Sequence, residues 1–348
     1  MVPSIAMLAE GRDINYSRDS FRSLMVRSRN LPGVQQNPAS TCSGQDAPKA
    51  ALRASQSLIS ARKPGVTAEA CLLLVLAIAS TDAQPATIDT EHLFGFTIGS
   101  DVGAVGEREV EGSVTGRFAK RSGSYSAAAG TLSAEFVPLT NLRTELTGAM
   151  VSYDIAGVSG LADQRYTSFG GLSADIRYRI LNRATAPFGL AVGAEPHWGR
   201  ADDVTGEPVS QYGVDFVAAA DWEIIPDRVV AAFNLLYQPE AMRSKATGTW
   251  SQESTAGVAV AVMAQVHPGI FVGGEARYLR RYDGIGLDTL AGQGVFVGPT
   301  IYFKISKEAW VAAAWSAQVT GNATSSFGSL DLVNFERRQA RLLFGVNF

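Results

Sequence analysis

The chain has 348 residues and only two cysteines, Cys42 and Cys71, both ahead of the region where regular patterning begins. That leaves most of the sequence without the means for a disulfide framework. Charge is also scarce: charged residues make up 18% and the formal net charge is −3, so no basic surplus points to nucleic acid. The three histidines, His92, His197 and His267, are far apart in the sequence. No H-E-x-x-H, no G-x-S-x-G and no phosphate-binding loop occurs, and the familiar hydrolase, zinc-protease and nucleotide-binding classes drop out. No apolar run is long enough for a spanning helix. The longest, residues 71–79, is about half of the roughly 20 residues required.

That short run has a different use. Arg62 and Lys63 precede it and the small, polar residues 80–83 follow it, the layout of a secretory signal peptide over 62–83. Cleavage is expected after Ala83, with Ala79 or Ala86 as alternatives, although Glu69 is unusual so near the apolar run. Residues 1–61 are rich in Ser, Arg, Asn and Gln and show no sustained periodicity. They read as a disordered extension, or as a consequence of a start assigned too far upstream. Residues 84–105 are glycine-rich and alternate only in part; a periplasmic segment and an extra strand both fit.

From about residue 106 the character changes. Alternating stretches follow one another, each longer than the 5–6 residues or so of a globular strand and suited to the roughly 9–11 that cross a bilayer. Strands are expected at 107–121, 124–137, 142–156, 166–180, 186–199, 209–223, 228–239, 254–266, 269–282, 294–306, 309–322 and 336–348. The connections alternate short and long, apart from a short first outer turn at Ser122–Gly123, and Pro299 predicts a bulge. An all-β, antiparallel transmembrane barrel of about 12 strands over 106–348 satisfies the pattern. Its near-neutral mean hydropathy follows, since lipid-facing and lumen-facing residues cancel along each strand.

Alternation assigns the faces. In 166–180, Leu172, Ala174, Ile176, Tyr178 and Ile180 share one face, and Asp175, Arg177 and Arg179 the other. In 209–223, Tyr212, Phe216 and Trp222 oppose Asp215, Asp221 and Glu223. The same reading turns Arg117, Glu135, Arg143, Glu145, Glu195, His197, Arg228, Glu275, Arg277, Lys304, Arg337 and Arg341 inward. These mixed charges are candidates for a pore lining, or for ion pairs that fill a narrow barrel. Aromatics near strand ends suggest two girdles: Phe136, Phe188, Trp222, Phe303, Trp310 and Phe348 on the periplasmic side, and Trp198, Tyr212, Tyr237 and Tyr282 on the outer side. Glu195 and His197 form an unusual pair at an outer strand end. They suit an acid–base pair or a weak metal site, but two ligands without a third point more simply to a contact that ties down the mouth.

The final residues alternate Ala340, Leu342, Phe344, Val346, Phe348 against Arg341, Leu343, Gly345 and Asn347. This strand resembles the C-terminal signal by which Gram-negative outer-membrane barrels are recognised for assembly, with Phe344 and Phe348 as its aromatic positions. Residues 269–278, 297–302, 310–315 and 342–348 together are similar to proteobacterial outer-membrane β-barrels, including a transporter-like group named by analogy with phenol-degradation outer-membrane proteins. The likeness covers the last third best and its motifs are strand patterns. It implies an outer-membrane location, a cleaved signal peptide, contact with outer-membrane lipid and the barrel-assembly machinery, and uptake of a small, hydrophobic compound. It supplies no site residue, cofactor or metal. The expected role is a passive or weakly selective channel and not an enzyme; a closed structural or adhesion barrel and a rim hydrolase are the alternatives.

Overall fold

In a computed structural model of the chain, residues 88–348 are described. The expectations for the 62–83 signal peptide, for 1–61 and for both cysteines lie outside the described residues. Twelve strands run in sequence: β1 (Arg108–Phe118), β2 (Ser124–Leu139), β3 (Leu142–Ala156), β4 (Gln164–Leu181), β5 (Gly189–Ala201), β6 (Pro208–Ile225), β7 (Val229–Ser244), β8 (Trp250–His267), β9 (Ile270–Asp283), β10 (Thr289–Lys304), β11 (Ala309–Ala323) and β12 (Arg338–Asn347). Each pairs antiparallel with its sequence neighbours, and β1 pairs with β12, so the sheet closes on itself. Closure leaves no edge strand, which satisfies every ladder inside hydrocarbon.

The two faces separate as the alternation requires. On β4, Leu172 and Ile176 are 55% and 50% exposed, while Asp175 and Arg177 are each 7%. Exposed Phe216, Leu235, Leu342 and Phe344 continue the outer surface on β6, β7 and β12. This is a transmembrane β-barrel of the outer-membrane type. One glycine on that surface lies under an aromatic ring. A Cβ at Gly112 would lie 2.2 Å from Cζ of Phe344, whose ring covers the β1 backbone across the closing seam.

Three expectations are corrected. Trp310 does not join the periplasmic girdle: it is 5% exposed, stacks on His92 and packs with Ala312 and Leu343 in the interior. The alanine-rich β11 alternates too weakly to reveal this, and its other tryptophan, Trp315, takes the outer face at 45% exposure. The register passes Pro299 unchanged, from Val297↔Ala317 to Thr300↔Ala314, and the bulge falls at Val295/Phe296. Four of the outer connections are also tighter than expected, the one after β7 most of all, where β7 and β8 continue to Ser244 and from Trp250 and leave only 245–249 between them. Above the lipid both strand faces meet water, so the strands go on while the alternation fades.

Candidate functional site

The lumen is where this fold concentrates chemistry, and its periplasmic half is occupied by the chain itself. Residues 88–103 add no strand. They lie among inward side chains from opposite walls and form a plug. Ile88, Leu93 and Phe94 pack with Val230, Ala232, Ala261, Met263 and Phe271, inward residues near the short-turn ends of β7, β8 and β9. Gly95 makes the close approach possible on the other side, since a Cβ there would be 2.2 Å from Cβ of Ala314.

Several expected inward charges turn out to hold this plug. Glu275 accepts from three successive backbone N–H groups: Gly95 at 2.7 Å, Phe96 at 2.8 Å and Thr97 at 2.6 Å. The hydroxyls of Thr97 and Thr300 also donate to it, at 2.8 and 2.5 Å. Successive amides make a concave anion nest, and here the anion is a wall carboxylate. Arg277, the neighbour of Glu275 on the inner face of β9, does not pair with it. Arg277 lies between aromatic rings instead, 4.0 Å from the Phe96 centroid and 5.4 Å from that of Phe296, and donates to Gln339. Arg341 donates to the Gly95 carbonyl at 3.0 Å. Asp221 accepts from Ser100 N–H at 2.6 Å and from the Thr90 hydroxyl at 2.7 Å. Arg179 reaches Asp101 at 3.4 Å.

Asn234, which alternation turns inward on β7, is fully buried and exchanges two 2.7 Å hydrogen bonds with the backbone of Ile98. The sequence reading missed other residues that matter here. Arg183, from the turn after β4, pairs with Asp101 at 2.8 Å and also contacts Asp221 and the Ile88 carbonyl. A basic residue in an otherwise bland turn was the only available signal. Glu109 and Glu111 on β1 face inward around His92.

At mid-height, carboxylates on neighbouring strands share one level: Glu109↔Glu135, Glu135↔Glu145 and Glu145↔Asp175 are register partners. Arg143 bridges this belt, at 3.2 Å from Glu135, 2.7 Å from Glu145, 3.1 Å from Asp175 and 3.5 Å from Glu91 of the plug. Arg177 joins at Asp175, 2.8 Å. His92 lies against the belt, with Nε2 3.3 Å from Glu109 and 3.9 Å from Glu91 and Nδ1 3.6 Å from Glu111. Burial alone would lower its pKa, but the hydrogen bond to Glu109 and the charges of Glu91 and Glu109 outweigh burial and push it up to about 9. Burial pushes the Glu91 carboxyl up as well.

The outer half holds a cavity of about 300 Å³. Glu195, His197, Asp203, Asp215, Glu240 and Arg281 line it, among Gln211, Gln238, Thr131 and Thr147. Arg281 is already engaged, 3.1 Å from Glu240 and in contact with Glu253, so the lining is acidic on balance. Two connections narrow the mouth. The 202–207 turn accepts hydrogen bonds from Tyr125 and Tyr153, and 324–337 accepts two from Lys120 and packs Phe335 against Phe296. Burial lowers the pKa of Lys120 to about 8.

Of the remaining candidates, His197 lies 3.8 Å from Asp215. Its Nε2 overhangs Gly213 on β6, where a Cβ would be 2.5 Å away, so the ring turns from Ser173, its register partner on β4. Arg117 reaches Asp203 at 3.5 Å. Lys304 is exposed where β10 ends and lines a cavity of about 190 Å³ with Ile88, Phe271 and Tyr302 at the inner rim. Arg228 and Arg337 are exposed in connections, off the wall. Phe344 and Phe348 are on the outer face.

Comparison with known proteins finds no match among curated sequences. Among solved structures, the chain is similar to the COG4313 outer membrane channel from Pseudomonas putida F1, with 15% identity over 75% of this chain and 100% of that one and a TM-score of 0.49. It is similar to the NanC porin, with 8% identity over 69% and 98% and a TM-score of 0.41. It is also similar to the Pseudomonas putida toluene transporter TodX, with 9% identity over 77% and 99% and a TM-score of 0.37. The fold described above rests on strand register and face chemistry, independently of these likenesses. A family model matches residues 86–348, which include every described residue, and by that match the chain belongs to the family of unknown function DUF6662.

Proposed function

We propose that this barrel is an outer-membrane channel for small molecules, entered through the outer cavity and closed at the periplasmic half by the 88–103 plug. The cavity of about 300 Å³ inside the closed wall, with charged side chains in its lining, carries this reading. A solute arriving from outside meets Glu195, Asp203, Asp215 and Glu240 with Arg281 largely spent on Glu240 and Glu253, so small cations are favoured over anions. Below the cavity the route is blocked by the belt around Arg143 and by the plug.

In this reading the inward charges set permeability. These charges act by holding the plug. Arg277→Ala removes the cation between Phe96 and Phe296 and is expected to raise single-channel conductance and shift preference towards cations, measured in planar bilayers. Unchanged conductance and unchanged ion preference would remove the main support for a gated channel.

A second reading has its own observation. The plug's polar contacts are so complete, with five hydrogen bonds on Glu275 alone, that a permanently closed structural barrel is also consistent. A rim hydrolase has less behind it, since the His197 ring overhangs Gly213.

A further inference from the structure

We propose that His92 and Glu91 of the plug, together with Glu109 and Glu135 of the barrel wall, form a binding site for a divalent transition-metal ion that ties the plug to β1 and β2. The inference stands whether or not the barrel conducts, because it concerns how the plug is held.

The donor set suits such an ion. Ligand atoms of Glu91, His92 and Glu135 lie within 4.8 Å of one another, and so do those of His92, Glu109 and Glu111. His92 is common to both groups. Its Nε2 faces Glu109 and Glu91, and its Nδ1 faces Glu111. An imidazole that ligates through one nitrogen and gives its other N–H to a carboxylate is the usual metal-site arrangement, with Glu111 here as the orienting partner. The wall ligand is fixed in turn: Trp310 Nε1 donates to Oε1 of Glu109 at 2.9 Å, and its ring stacks on His92 at 4.4 Å between centroids. That leaves Oε2 of Glu109 turned towards His92.

A second observation is independent of the clustering. Oε1 of Glu91 is buried and has no hydrogen-bond donor; its nearest cation is Arg143 at 3.5 Å. A carboxylate oxygen out of water without a donor is costly, and such groups usually mark a missing partner. The charge count agrees. Among the described residues the carboxylates Glu91, Glu135, Glu145 and Asp175 share two guanidinium groups, those of Arg143 and Arg177, while Glu109 and Glu111 have His92 between them. An ion bound at Nε2 adds positive charge where carboxylates outnumber guanidinium groups. One imidazole with carboxylates favours zinc-class ions over calcium, which takes oxygen ligands alone.

The test uses the full chain extracted from membranes, stripped with chelator and dialysed against zinc alone. One tightly held equivalent is expected. His92→Ala and Glu109→Gln should each weaken retention at least tenfold, while His267→Ala, in an exposed turn, should retain the ion. Zinc binding that is absent, or equal in the His92→Ala protein and the parent, overturns the site. Should those variants fail to assemble, X-ray absorption on the zinc-loaded parent decides. One imidazole nitrogen at about 2.0–2.1 Å in a shell otherwise of oxygen supports the site. A shell without imidazole overturns it.

Discussion

At the scale of single residues, the plug depends on a few buried polar side chains that hold its backbone as well as its side chains. Glu275 is the clearest. Replacing it with Gln removes the charge and turns one acceptor into a donor that faces N–H groups. The expected loss is roughly 2–3 kcal/mol of plug docking, the range for a charged hydrogen bond left unmade. Hydrogen exchange at residues 95–97 checks this, and should speed up at least tenfold while strand amides stay protected. Unchanged exchange would show that the nest is dispensable. Gly112 tests the outer surface in the same way. Gly112→Val brings a side chain into the Phe344 ring and should cost about 1–3 kcal/mol by overpacking. Adding Phe344→Ala should recover part of that loss, read from the urea midpoint in lipid vesicles. Sequence reasoning reached Glu275, Arg277 and Asp221 as inward residues, because alternation is visible in side chains. It did not reach their partners. The plug offers Glu275 its amides, which every residue carries and no sequence displays.

At the scale of elements, the strand pattern was highly legible. β3 runs from 142 to 156 as expected and β11 differs by one residue at its end. The differences gather at the outer ends, as with β7 and β8, where lipid no longer imposes two unlike faces. β11 shows the other limit, since small alanines on both faces hide which way Trp310 points. Face identity is directly testable. Ile176→Arg places a charge on the lipid face of β4 and should cost about 2–4 kcal/mol near the midplane. Asp175→Asn on the inner face should cost less, although Arg143 and Arg177 both contact Asp175. Folded yield in the outer membrane compares them; equal loss from both would refute the assignment of faces. Lys120 gives the element at the mouth a pH signature. Its pKa is lowered to about 8 where it donates to Val333 and Phe335, and returns to the ordinary 10.5 when segment 324–337 opens to water. The open form then binds more protons between those values, so the closed mouth gains stability as pH rises through that window and is constant below it. Protease cutting in 324–337 should slow from pH 8 to pH 10 in the parent, relative to a Lys120→Met variant.

At the scale of the whole molecule, the width of the barrel explains the plug. Eight strands leave an interior that side chains fill, and sixteen or more leave an open aqueous channel. Twelve lie between, and here the chain fills the difference with its own segment below and an acidic cavity above. The central claim is that 88–103 is the barrier. The direct measurement is planar-bilayer conductance of the barrel with residues 88–103 deleted, beside the unaltered chain, both verified as folded by heat-modifiable mobility. The account predicts rare or small openings in the unaltered chain and a lasting, cation-preferring conductance after deletion. A folded barrel that stays silent without the plug, or one that conducts equally with it, would contradict the account.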